Sequence, residues 1–312
     1  RNGEFFTSTT ADFASGTEKA GFAFNIPCEE EGNFRFELEI PTLENELTSE
    51  NNQTGFLLKV VRERLNIMAL SGRLSWDMKF IGNALLTDPN ARSVHWVKLA
   101  DNRWACSRDL KPEAAVSNPN LAEDLKIADV LIVYGADYTM LKPVEEEIVR
   151  RVESGTLGLL IMPSSKSFSE LGYQGTQFEK LLPVITSSET WRGTPGNLVL
   201  PSTETPYNFL RLIDDPIENV EFFATLPKFE GIYEYAGLKP GSEVLINSTV
   251  RSNSDMLPFM IRSRAGLGNV VLISGGPLWP SGFRLVPTDR GFAPYSALIV
   301  NMCKWLANRR ED

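Results

Sequence analysis

The sequence predicts an α/β fold: a mostly parallel sheet with helices on both faces and an antiparallel edge, behind a small N-terminal all-β segment. Three observations carry this. Strand-length apolar runs alternate with amphipathic helical stretches from residue 65 to 162, as parallel strands joined by helical crossovers do. Two runs at 257–263 and 269–274 flank Arg264-Ala265-Gly266-Leu267-Gly268, a hairpin connection that adds an antiparallel edge. Before residue 62 the apolar residues recur with period two instead. The expected division is therefore residues 1–62 and residues 63–312.

The elements follow in order. Residues 1–18 are polar and turn-rich and are expected to be irregular. Period two begins at Gly21–Ile26 and is clearest at Asn33–Ile40. There Phe34, Phe36, Leu38 and Ile40 share one face, and Arg35, Glu37 and Glu39 share the other. Asn51-Asn52 suits a turn, and Gly55–Val61 reads as a further strand. Three strands are too few to stand alone, so the segment reads as the end of a β-sandwich.

Leu65–Leu70 is a buried-type strand. A helix starts near Ser75, with Asp77 in its first turn, where the helix dipole favours an acid. Trp76, Phe80, Ile81, Ala84 and Leu85 fall on one face, and Asp88-Pro89 ends it. Strands are expected at 93–99, 129–134 and 157–162. Between the last two, Pro143 opens a helix with Val144, Ile148, Val149 and Val152 on one face, and Gly155 ends it. Residues 163–243, rich in Pro, Gly, Ser and Thr, are expected as an irregular insertion with short helices near 176–182 and 205–213. Strands at 244–249, 257–263 and 269–274 come next. Tyr295, Leu298, Ile299, Met302, Trp305 and Leu306 stripe a closing helix.

Composition bounds the function classes. With 42% hydrophobic and 23% charged residues, the 312-residue chain can build a large core. A net charge of -9 and a pI near 5.0 argue against a nucleic-acid partner, which needs clustered Lys and Arg. Arg62, Arg64 and the pair Arg309-Arg310 all have acidic neighbours. No run approaches the roughly 20 apolar residues of a membrane-spanning helix. The chain opens at Arg1 without a Met or a signal peptide, so it is expected to be a piece of a longer protein. Cys28, Cys106 and Cys303 lie far apart and read as small buried thiols.

Ligands of an open parallel sheet sit beyond the carboxyl ends of its strands. Four loops occupy that position: Ser71–Asp77, Gly135–Tyr138, Pro163–Lys166 and Ser274–Trp279. They supply the candidate pocket residues Arg73, Trp76, Asp77, Asp137, Ser164, Ser165, Ser274, Gly275 and Trp279, with Trp191 as a further exposed aromatic. Turn chemistry alone also explains the Gly and Ser of each loop, and Trp76 could equally be core. A nucleophile elbow wants Gly two residues either side of the nucleophile, and neither serine has it. Serine also needs a base, and the one histidine, His95, lies inside an expected strand. Glu145-Glu146-Glu147 spread over a polar helix face, so no metal set emerges. No GxGxxG or P-loop calls for a cofactor.

Ala69-Leu70-Ser71-Gly72-Arg73-Leu74-Ser75-Trp76-Asp77-Met78-Lys79-Phe80, with Leu85-Leu86-Thr87-Asp88-Pro89, resembles the glutamine amidotransferase-like domain of uncharacterised bacterial membrane proteins. Asp129–Tyr134, Gly155–Ser169, Leu181-Leu182-Pro183, Leu257-Pro258, Gly268–Leu272 and Trp279 extend the likeness over residues 62–308. Leu74 stands where that family commonly has Pro. The resemblance implies a flavodoxin-like sheet and an extracytoplasmic, envelope location as part of a membrane-anchored chain. Leu43–Glu46 and Glu50–Asn52 resemble the end of an immunoglobulin-like domain. Amidotransferases carry a catalytic Cys at the elbow, then His and Glu; here Ser164 and Ser165 occupy it and no His follows. The resulting expectation is a non-catalytic module that binds a partner protein or small ligand at the strand ends. The alternatives are a hydrolase with an atypical Ser-based elbow and a purely structural scaffold.

Overall fold

The computed structural model describes residues 7–10, 32–42, 52–60, 64–249, 256–282 and 294–307. The expected strand at 21–26, most of residues 1–18 and 44–54, and Cys28 lie outside them. The chain divides into two compact units, Arg1–Glu63 and Arg64–Asp312.

In the first unit β1 (Gly32–Glu39) and β2 (Gln53–Val60) form one antiparallel pair, with Phe36 stacked on Phe56 at 5.4 Å. Among the described residues this is a two-stranded sheet, and nothing in it supports the expected immunoglobulin-like segment.

The second unit runs β3 (Leu65–Ser71), α1 (Trp76–Leu85), β4 (Ala91–Ala100), β5 (Arg103–Arg108), β6 (Lys111–Pro112), α2 (Leu121–Ile127), β7 (Val130–Tyr134), α3 (Tyr138–Leu141), α4 (Glu145–Glu153) and β8 (Gly158–Met162). It continues through β9 (Val184–Arg192), β10 (Leu198–Val199), α5 (Pro216–Ala224), β11 (Gly231–Leu238), β12 (Glu243–Thr249), β13 (Met256–Ala265), β14 (Gly268–Ile273), β15 (Gly275–Gly276), α6 (Trp279–Gly282) and α7 (Pro294–Leu306).

Ten strands form the main sheet in the order β10-β12-β13-β14-β8-β7-β3-β4-β5-β6. Only the four pairings joining β14, β8, β7, β3 and β4 are parallel. The other five are antiparallel and lie at both ends. The expected mostly parallel, flavodoxin-like sheet with one antiparallel edge is thus corrected to a mixed sheet. The missed partner is β5, which turns back on β4 through Asp101-Asn102 and buries only Trp104 and Cys106. Six residues with an arginine at each end and two buried side chains give a weak strand signal.

Both faces of the parallel centre are covered, which is why β3, β7 and β8 are near-continuous apolar runs. Ile67 and Ala69 of β3 join α1 and α7 in one core, while Met68 and Leu70 join α2 and α4 in the other. Each buried Leu or Ile there contributes roughly 1.5–3 kcal/mol relative to exposure. The stripe on α7 is buried at Tyr295, Leu298, Ile299, Met302 and Leu306, with Trp305 half-buried.

The region expected to be an irregular insertion holds more order. Its expected helices are single 3₁₀ turns at Phe178–Leu181 and Asn208–Leu210. α5, capped by Asp215 on the N–H groups of Ile217 and Glu218, follows them. A second, three-stranded sheet, β15-β11-β9, is built mostly from this region. β15 continues directly from β14, so the small sheet rises from the carboxyl end of a central strand.

Candidate functional site

The carboxyl ends of β3, β7, β8 and β14 open into a cleft of about 320 Å³. Arg73, Trp76 and Asp77 line it from the β3–α1 loop, Ser164 and Ser165 from the β8 loop, and Gly275 and Trp279 from the last loop. Trp191, from the end of β9, completes the aromatic lining.

Asp77 holds three of these segments together. Ser75 caps α1 by accepting the Asp77 N–H at 3.0 Å, placing Asp77 in the first turn with its carboxylate buried. Its Oδ1 accepts the backbone N–H groups of Leu278 and Trp279, each at 2.8 Å, and the Tyr134 hydroxyl donates to Oδ2 at 3.1 Å. Burial raises its pKa, opposed by these hydrogen bonds and by the Arg73 charge. Although it lines the cleft, this carboxylate is committed to fixing the loop that carries Trp279.

Arg73 donates from Nη2 to the Ser164 hydroxyl oxygen at 2.8 Å. Ser164 has φ of 68°, a left-handed backbone rare for a side-chain-bearing residue and typical of a sharp turn. The adjacent loop is equally tight: Gly135 has φ of 50°, and a Cβ there would stand 2.9 Å from the Ser164 Cβ. At the opposite wall a Cβ on Gly275 would meet the Gly231 carbonyl at 2.7 Å and the Phe259 ring at 2.8 Å. Gly275 therefore serves the close approach of β15 to β11 as well as lining the cleft.

The aromatic groups stand in two sets. Trp76 and Trp279 lie 6.2 Å apart between ring centroids, inclined by 42°, and Phe80 backs Trp279 at 6.0 Å. Lys79 Nζ stands 4.9 Å from the Trp76 ring centroid, a cation–π contact. Trp191 packs on Tyr233 at 5.0 Å. Trp76 is 56% exposed and Trp191 42% exposed, so neither is a core residue.

Two candidates fall elsewhere. Asp137 lies between β7 and α3, outside the cleft lining, 3.6 Å from Lys98 and hydrogen-bonded by Thr139. Ser274 is buried beneath the cleft, its N–H donating to the Phe259 carbonyl and its own carbonyl accepting from Tyr233. Sequence reasoning did not single out Tyr134 or Glu230, which also line the cleft. Tyr134 had a signal, as the last residue of an apolar strand entering a Gly loop. Glu230 had none.

His95 does not line the cleft; its Nε2 is 2.8 Å from the Ser71 hydroxyl oxygen, and burial lowers its pKa to about 4. Cys106 and Cys303 are free, buried thiols pushed up to about 12, in both cases chiefly by burial. Among the described residues no group of three or more His, Cys, Asp or Glu could hold a metal ion.

No protein-family model and no curated protein sequence matches the chain. Among solved structures, a cytoplasmic protein of Salmonella typhimurium matches at 14% identity and a TM-score of 0.47, covering 88% of this chain and 96% of that one. A second Salmonella typhimurium LT2 cytoplasmic protein matches at 12% identity, with the same TM-score and coverage. A β-galactosidase of Bacillus circulans sp. alkalophilus matches at 11% identity and a TM-score of 0.41, over 78% of this chain and 31% of that one. At these scores and identities the likenesses carry no argument about activity. The resemblance to amidotransferase-like domains is overturned by the sheet itself, which is mixed rather than mostly parallel and flavodoxin-like. The expected extracytoplasmic, membrane-anchored location is corrected with it. No helix among the described residues is long and apolar enough to cross a membrane.

Proposed function

We propose that the strand-end cleft is a non-catalytic binding site for a small polar molecule that also presents an apolar face. The observation that carries this is the convergence of Trp76, Trp191 and Trp279 with Arg73 around one open cleft. Apolar walls with a few placed polar groups are the usual make-up of small-molecule sites. The Asp77 carboxylate is occupied by three hydrogen bonds, which leaves Arg73, the two serines and Glu230 to orient the ligand. Ligand-observed NMR with a library of small polar fragments tests this. Trp76→Ala is expected to melt at nearly the wild-type temperature and to lose the fragments that bind wild type. Equal binding by both proteins would place the site elsewhere.

A hydrolase reading has one observation in its favour: the left-handed backbone of Ser164 immediately past a central strand. Against it, the group bonded to Ser164 is a guanidinium, which donates and cannot take the serine proton. A fluorophosphonate probe followed by peptide mapping discriminates. Labelling at Ser164 that Ser164→Ala abolishes would favour the hydrolase, and an unlabelled loop would favour the binding site.

A further inference from the structure

Resting on the binding reading above, we infer that the ligand class is an acidic saccharide of one or two residues, its ring on the indoles and its carboxylate on Arg73. Shape is the first argument. Trp76 and Trp279 meet at 42° with centroids 6.2 Å apart, an inclined platform rather than a parallel slot. A flat heterocycle is best held between parallel rings. A pyranose instead offers a puckered face of axial C–H groups to one indole at a time, keeping its hydroxyls at the edge.

The polar lining suits those hydroxyls. Ser75, Ser164, Ser165 and the Glu230 carboxylate supply both donors and acceptors around the aromatic platform. A wholly apolar ligand would cover Ser165 and Glu230 without offering them a partner, at a cost of about 1–3 kcal/mol for each group buried in that way.

The placement of Arg73 argues for a single carboxylate. Arg73 is the one cationic side chain lining the cleft among the described residues, a lining that also includes the carboxylates of Asp77 and Glu230. It carries five N–H donors and gives one to Ser164, so a carboxylate can be held by a charge-assisted pair. A di- or triphosphate calls for several cations, and the cleft lining has Arg73 alone among the described residues. Size agrees: about 320 Å³ lies at the small end of ligand sites, which span ~300–1,000 Å³.

Isothermal titration of the full chain with digalacturonic acid and with a neutral galactose disaccharide tests the assignment. Wild type is expected to bind the acidic disaccharide at least about tenfold more tightly. Arg73→Gln should bring the two affinities together, and Trp76→Ala should lose both. Trp76→Phe, which keeps an aromatic face, should retain part of the binding if Trp76→Ala fails to fold. Equal wild-type affinities would overturn the carboxylate. No binding of either sugar, while polar fragments still bind in the NMR experiment, would overturn the saccharide and leave the binding site intact. Loss of fragments as well would sink both readings.

Discussion

Asp77 shows how a residue's chemistry can be legible while its role is not. The sequence placed it in the first turn of a helix beside an expected cleft, and the structure puts it there. Yet its carboxylate accepts two backbone N–H groups some two hundred residues away, a partnership no local pattern reveals. Asp77→Ala leaves those buried donors unpaired and is expected to cost about 2–4 kcal/mol in urea denaturation, with Asp77→Asn costing less. The sign of its pH effect follows from its raised pKa. The folded state holds the proton more tightly than the unfolded chain, so charged Asp77 opposes folding above its folded pKa. Its contribution turns more favourable as pH falls through that value towards 3.8, and Asp77→Asn should remove this part of the profile.

His95 acts in the opposite direction. Its pKa of about 4 lies below the ordinary 6.5, so the unfolded chain takes up the proton first. Stability from this group is complete above pH 6.5 and falls as pH drops towards 4, by on the order of 3 kcal/mol. As the chain's one histidine, it gives an imidazole signal free of overlap in NMR. A midpoint near 4 is the expected result; one near 6.5 would show an exposed ring. His95→Gln should flatten the acid slope.

At the scale of elements, the sequence was most informative where burial was most complete. β3, β7, β8, α1, α4 and α7 follow from apolar runs and helical stripes because each is covered by a core. β5 and β9 were hidden by their exposed faces: β9 reads Val-Ile-Thr-Ser-Ser-Glu-Thr-Trp-Arg, which is indistinguishable from a polar loop. That omission concealed the wall carrying Trp191, though Trp191 itself stood out as an exposed aromatic. The same wall depends on Gly275. Gly275→Val must push β15 from β11 or displace Phe259, so it is expected to destabilise by about 1–3 kcal/mol and to weaken binding in the cleft. Thermal melts alongside fragment titrations check this, and a variant with unchanged binding would show the wall to be unimportant.

For the whole molecule, local alternation suggested parallel strands, and that holds only for the centre of the sheet. Strand direction at the ends depends on pairings such as β4 with β5, which sequence periodicity does not encode. The strand-end position of the cleft survives this correction because it depends only on the parallel centre. Among the described residues both large cores lie after Arg64, and residues 64–312 are expected to fold alone. A single cooperative urea transition of that fragment is the expected outcome; a gradual, non-cooperative loss would show that the first unit is required.

The binding claim is tested most directly by a crystal structure of the chain soaked in a library of small polar fragments. Density for fragments lying on Trp76 or Trp279 and within hydrogen-bond reach of Arg73 is the expected result. An empty cleft, with fragments ordered at other surfaces, would contradict it.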